Sequence, residues 1–175
     1  RAEDMADLCE ELHATLGVQA MKLKAGVMPP DEEARVLELC RERLGPGFGL
    51  RADPNGTWSV ATASRIGRRL EPLGLEYFED PSWGLEGNAA VRKAIRIPIA
   101  TNMYPNKFDD LGPAIRLGAV DIVLTDIHYW EGPRGVKDLT LVCRTFNLGV
   151  AMHSGAEFGI ELAAMLHTAA TIPEM

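Results

Sequence analysis

The sequence predicts an α/β fold, part of a parallel-stranded TIM-like barrel, and three observations predict it. Six short β-type runs recur along the chain, a helical pattern follows each, and a polar residue closes each run at intervals of 23 to 29 residues. Strand, helix, strand, helix with no hairpin signal between the strands implies right-handed β–α–β units and a parallel sheet. One such unit has about that length, so six in succession suggest a barrel. Leucine-rich solenoids have a similar repeat length, but their L-x-x-L-x-L signature does not recur here.

The runs fall at 18–24, 48–53, 75–79, 97–102, 120–126 and 149–153. A charged helical pattern precedes the first. After it, Pro29-Pro30 leads into a helix with Asp31 as the expected N-cap and Leu37, Cys40 and Leu44 on one face. The second run ends in a strong turn sequence, Asp53-Pro54-Asn55-Gly56. Before the sixth run, Val136, Leu139, Cys143 and Phe146 share a helix face, and Gly118 and Gly149 read as helix-stop or turn positions. No low-complexity linker interrupts residues 1–175, which read as a single domain.

Composition narrows the function classes. The chain is 46% hydrophobic and 25% charged, with a formal charge of −7 and a pI near 5.1. No run of Lys and Arg is dense enough to follow a phosphate backbone, which argues against nucleic acid as a partner. The three cysteines, Cys9, Cys40 and Cys143, are widely spaced and suggest neither a disulfide framework nor a metal knuckle. A cytoplasmic protein with no signal peptide, no membrane span and no membrane partner is expected.

The polar residues closing the runs are Lys24, Asp53, Glu79, Asn102, Asp126 and His153. In a (β/α) barrel the carboxyl ends of the strands share one face, and that face carries the active site. In Met21-Lys22-Leu23-Lys24 the two lysines point the same way. A half-exposed strand with lysines in water is the plain alternative. In a barrel, a second ammonium disfavours protonation of the first, which makes Lys24 the candidate base and Lys22 its support. Asp53, Glu79 and Asn102 end three consecutive runs, about 4.8 Å apart if adjacent, so their oxygens can converge on one cation. Oxygen-only donors suit Mg²⁺ better than zinc. Singly, each also reads as turn chemistry. Asp126 can fix the tautomer of His153 and leave the other ring nitrogen free for proton transfer. His13 and His167 fall in helical patterns and read as structural.

Together, Lys22-x-Lys24, Asp53-Pro54-Asn55-Gly56, Glu79-Asp80-Pro81, Ala100-Thr101-Asn102-Met103, Asp126-Ile127-His128-Tyr129-Trp130 and His153-Ser154 resemble the motif series of glucarate dehydratase-type members of the enolase superfamily. The resemblance implies a partial (β/α)7β barrel carrying strands two to seven with their helices, the capping domain and barrel ends lying outside these residues. It implies Mg²⁺ at Asp53, Glu79 and Asn102, a Lys24 base beside Lys22, and an Asp126–His153 dyad. It further implies substrate contacts at Asn55, His128 and Ser154. A lysine base working with Mg²⁺ is general to the superfamily that this series resembles. The expected reaction is Mg²⁺-dependent dehydration of a small sugar acid, in a protein that is a homo-oligomer at full length. A racemase or epimerase of the same superfamily, or an inactive fold remnant acting as a binding module, are the alternatives. The residues 1–175 alone are expected to be inactive or poorly soluble, since unpaired sheet edges invite association. Four positions depart from the motif series: Ile127 stands where the series has proline, and Gly155-Ala156-Glu157 stand where it has two asparagines and a histidine. Those departures point away from D-glucarate itself and toward a related acid.

Overall fold

The computed structural model of the chain describes residues 1–173 and 175. Helix α1 (Ala2–Leu16) precedes strand β1 (Ala20–Lys24), followed by α2 (Pro30–Leu44), β2 (Gly49–Asp53), α3 (Val60–Leu70) and a 3₁₀ turn (Glu71–Leu73). Then come β3 (Tyr77–Glu79), α4 (Gly84–Ala94), β4 (Ile99–Thr101), α5 (Phe108–Leu117), β5 (Ile122–Thr125), α6 (Gly132–Thr145), β6 (Gly149–Met152) and α7 (Gly159–Ala169). The strands form one six-stranded sheet in sequence order, and every neighbouring pair is parallel. This is the partial (β/α) barrel that the repeat interval implies.

Two apolar clusters hold the helices to the sheet. Leu23, Leu50, Phe78 and Ile99 from the strands pack with Val36, Leu37, Cys40 and Ile66 from α2 and α3. Val123 and Val150 pack with Leu111, Ala114, Val136, Leu139 and Cys143 from α5 and α6. Each fully buried side chain of this size contributes about 1.5–3 kcal/mol by leaving water.

Several local expectations are corrected. Pro29, not Asp31, is the N-cap of α2; Asp31 lies in the first turn, where its carboxylate accepts from Arg65 and Arg69. Phe146 follows α6 as its C-cap and is 54% exposed, whereas Val136, Leu139 and Cys143 are buried. Gly118 does end α5 in the left-handed region, with φ 63. Gly149 instead opens β6, and the turn before it is made by Asn147 at φ 56. The fourth strand starts two residues later than expected because Pro98 has no N–H to donate, although its carbonyl still accepts from Phe78. His13 and His167 lie in α1 and α7, as expected.

Register brings the polar residues level. Lys22 pairs with Arg51 and Lys24 with Asp53; Glu79 pairs with Ala100. Thr125 pairs with Met152, and His153 N–H donates to the Thr125 carbonyl at 2.6 Å, so Asp126 and His153 leave their strands side by side. The segment after β1 is anchored by Glu33 of α2, only 1% exposed. Its carboxylate accepts from the backbone N–H groups of Gly26, Val27 and Met28 at 2.9, 2.9 and 2.8 Å. Gly26 sits at φ +87, where a Cβ would collide with Thr57 Oγ1, so this segment closes onto the Asp53–Thr57 turn only with glycine there.

Candidate active site

Lys24, Asp53 and Glu79 are the last residues of β1, β2 and β3. Asn102, Asp126 and His153 each follow the end of β4, β5 and β6. All six therefore stand at the carboxyl end of the sheet.

The lysines meet carboxylates. Lys22 Nζ donates to Glu79 Oε2 at 2.8 Å and lies 3.5 Å from Asp53 Oδ2. Lys24 Nζ donates to the same Asp53 oxygen at 2.5 Å and to Asn55 Oδ1 at 3.3 Å. The nearest charge to each ammonium is thus a carboxylate, whereas the sequence suggests the neighbouring lysine as the dominant influence. Asp53 and Glu79 are fully buried. Burial raises the Glu79 carboxyl, the negative Asp53 beside it raises it further, and Lys22 opposes both.

On the other side, His153 Nδ1 lies 3.2 Å from Asp126 Oδ2 and Nε2 lies 3.0 Å from Asn102 Nδ2. The Asn102 amide is a donor, so Nε2 accepts and Nδ1–H donates to Asp126. Burial would raise Asp126, but hydrogen bonds from His153 and from the backbone N–H groups of Tyr129 and His128 outweigh it and leave its carboxyl lowered. The ring nitrogen expected to be free is occupied by Asn102, a contact between strand ends that no spacing along the chain reveals.

This orientation of Asn102 leaves its Oδ1 buried without a partner, and Glu79 Oε1 is likewise buried and unpartnered. A buried acceptor with no donor costs about 1–3 kcal/mol, and coordination to a cation would relieve that cost at either oxygen. Two carboxylates and an amide oxygen form a hard, oxygen-only donor set, which fits Mg²⁺. Among the described residues no three His, Cys, Asp or Glu side chains gather as a metal cluster, and here the third donor is an amide.

A cavity of about 420 Å³ opens beside His153, lined also by Asp126, His128, Glu157 and Glu161. The residues implied to touch substrate divide between the two sides. Asn55 stands by Lys24. His128 faces the cavity, with Nδ1 3.7 Å from Asp126 and 3.8 Å from Glu157, and pairs with Glu161 through Nε2. Ser154 gives its hydroxyl proton to Glu157 at 2.6 Å. That bond, then one from Gly155 N–H, holds the Glu157 carboxyl below its ordinary value.

Sequence reasoning missed Glu161, whose only signal is its place four residues after Glu157. It also missed Asp80, fully buried and pushed up to about 7 by burial, against hydrogen bonds from Thr101 and the Asn102 backbone. Asp80 lies within the Glu79-Asp80-Pro81 motif, but its burial comes only from the fold.

The family described as enolase C-terminal domain-like matches residues 4–175. A probable glucarate dehydratase of Streptomyces coelicolor is 46% identical over 159 residues, 91% of this chain and 36% of the relative. Among solved structures, an isomerase from Streptomyces coelicolor superposes with a TM-score of 0.95 at 41% identity, over 99% of this chain and 46% of that one. An enolase from Gibberella zeae, complexed with magnesium, formate and sulfate, gives 0.94 at 39% identity, over 99% and 40% of the respective chains. The chain therefore spans less than half the length of each of these relatives.

Proposed function

This chain belongs to the enolase C-terminal domain-like family, and on that premise we propose that the full-length protein removes water from a polyhydroxy sugar acid. The observation that carries the reading is two unpartnered buried oxygens, Glu79 Oε1 on the carboxylate that Lys22 contacts and Asn102 Oδ1 on the amide that His153 contacts. Asp53, Glu79 and Asn102 would hold Mg²⁺, which when bound supplies positive charge to a substrate carboxylate.

The chain's own groups do the rest. A proton α to a carboxylate is weakly acidic, so Lys22 neutralises charge as it develops while Lys24, in its neutral form, takes the proton. His153, protonated and held by Asp126, donates to the departing β-hydroxyl. A C–H and a C–O bond break, a C=C bond forms, water leaves, and the resulting enol tautomerises to a keto-deoxy acid. Asn55, His128 and Ser154 orient the remaining hydroxyls. The free, buried cysteines Cys9, Cys40 and Cys143 accord with a reducing cytosol.

Incubating the full-length protein with sugar monoacids and diacids, with and without Mg²⁺, tests this reading. A Mg²⁺-dependent keto-deoxy product is the expected result, and no product from any acid counts against it. One observation favours epimerisation instead: Lys24 follows from the first strand of the sheet and His153 from the last, so each can reach one face of an α-carbon. Solvent deuterium at that carbon with inversion and no loss of water would select that alternative.

A further inference from the structure

Asn102 lies just past the end of β4, so no strand pairing fixes its backbone. Its N–H donates to Asp80 Oδ2 at 3.1 Å. The other oxygen, Asp80 Oδ1, accepts the hydroxyl proton of Thr101. The Thr101 hydroxyl oxygen then accepts from the backbone N–H groups of Met103 and Tyr104 at 3.1 and 2.8 Å. The backbone of Asp80 extends the same linkage: its N–H donates to the Ala100 carbonyl at 2.9 Å, and its carbonyl accepts from Gly56 N–H at 2.7 Å. Asp80 does this from the left-handed region at φ 38, unusual for a residue with a side chain. One buried residue therefore joins the strand ends that carry Asp53, Glu79 and Asn102.

We propose that Asp80 is a positioning residue: by clamping Thr101 and the Asn102 backbone, it sets where the Asn102 amide stands against His153. The inference rests on the reading of Asn102 as a metal donor. Burial alone would be served by any packed side chain, but each Asp80 oxygen meets a donor, and both donors belong to the segment that turns Asn102 into the site. Asp80→Asn keeps the shape and replaces one oxygen with an NH₂ group, so a donor faces a donor. Thr101→Val keeps the shape and removes the hydroxyl bridge to Met103 and Tyr104.

The test compares D80N and T101V with wild type and with Ile66→Val, a core change in α3 away from this linkage. Two quantities are measured on the full-length protein: Mg²⁺ affinity by calorimetry, and amide hydrogen exchange at Asn102, Met103 and Tyr104 without metal. D80N and T101V are expected to weaken Mg²⁺ binding by about ten- to hundredfold and to speed exchange at these amides about tenfold or more, while I66V leaves both within about twofold. T101V carries the test if D80N does not fold. Exchange within twofold of wild type overturns the proposal, with or without metal. Faster exchange in a protein that still holds Mg²⁺ as tightly as wild type also overturns it. If wild type itself takes up no Mg²⁺, the proposed function fails and the exchange rates still decide the role of Asp80.

Discussion

Asn102 Nδ2 lies 3.0 Å from His153 Nε2, which leaves Asn102 Oδ1 buried without a hydrogen-bond partner. In the proposed reaction the imidazole thus orients the Asn102 amide through the same nitrogen that carries the donated proton. Protonating Nε2 gives it a hydrogen that faces the Asn102 NH₂ group, so the pair must separate or the amide must turn before His153 can donate. Substituting His153 therefore affects two steps. His153→Asn is expected to lower dehydration by about 10²- to 10⁴-fold while Lys24 still exchanges the α-proton. Parallel measurement of product formation and solvent deuterium uptake checks this, and equal loss of both would assign His153 to the proton-abstraction step.

Lys22 contacts two carboxylates that are both fully buried. Lys22→Met leaves them without that cation, and breaking a buried pair costs about 3–5 kcal/mol. The variant is expected to unfold at lower denaturant in chelator, with part of the loss recovered on adding Mg²⁺, because a ligand bound only by the folded state stabilises it. Equal stability with and without Mg²⁺ would contradict a cation at Asp53 and Glu79.

Glu38 shows how a surface network sets acid stability away from the site. Arg69 donates to it at 2.7 and 3.1 Å and, as the largest cause, holds its carboxyl below the ordinary 4.5. A lowered folded value means the contribution is fully present above pH 4.5 and lost as pH falls through the folded value. Arg69→Met is therefore expected to destabilise most near neutral pH, and its deficit should shrink on acidification. Thermal melts of both proteins across the acid range would show the curves converging; a constant gap would mean that Arg69 contributes by packing alone.

Glu157 and Glu161 stand around His128 beside the cavity. A second carboxylate on the substrate would meet these charges if it entered there, whereas hydroxyl groups could donate to them. Glu157→Gln is expected to raise kcat/KM for diacids relative to monoacids by about tenfold, the effect of about 1.4 kcal/mol of relieved repulsion. An unchanged ratio would place the far end of the substrate elsewhere.

The architecture is legible because polar strand ends at near-regular intervals survive in the sequence even where strand boundaries shift. Lys24, Asp53 and Glu79 end their strands as expected, while the β-type run at 97–102 overextends the fourth strand across Pro98. Which polar residues gather at the strand ends is legible too, but the contacts among them are not. That Lys22 reaches Glu79, 57 residues away, follows from sheet curvature and side-chain reach rather than local pattern. The same holds for Asn102 and His153, 51 residues apart. Asp80 and Glu33 escape a reading of the sequence because an acidic residue in a turn or first helical turn ordinarily faces water, and only tertiary packing makes these two buried acceptors.

The defining step of the proposed dehydration is transfer of a proton to Lys24 from the carbon next to a carboxylate held on this rim. It is tested most directly by following deuterium uptake at the α-carbon of a panel of sugar acids in heavy water, using full-length protein with Mg²⁺. Uptake that requires Mg²⁺ and disappears in Lys24→Ala is the predicted result. Uptake that persists in Lys24→Ala, or no uptake into any acid by the wild type, would contradict it.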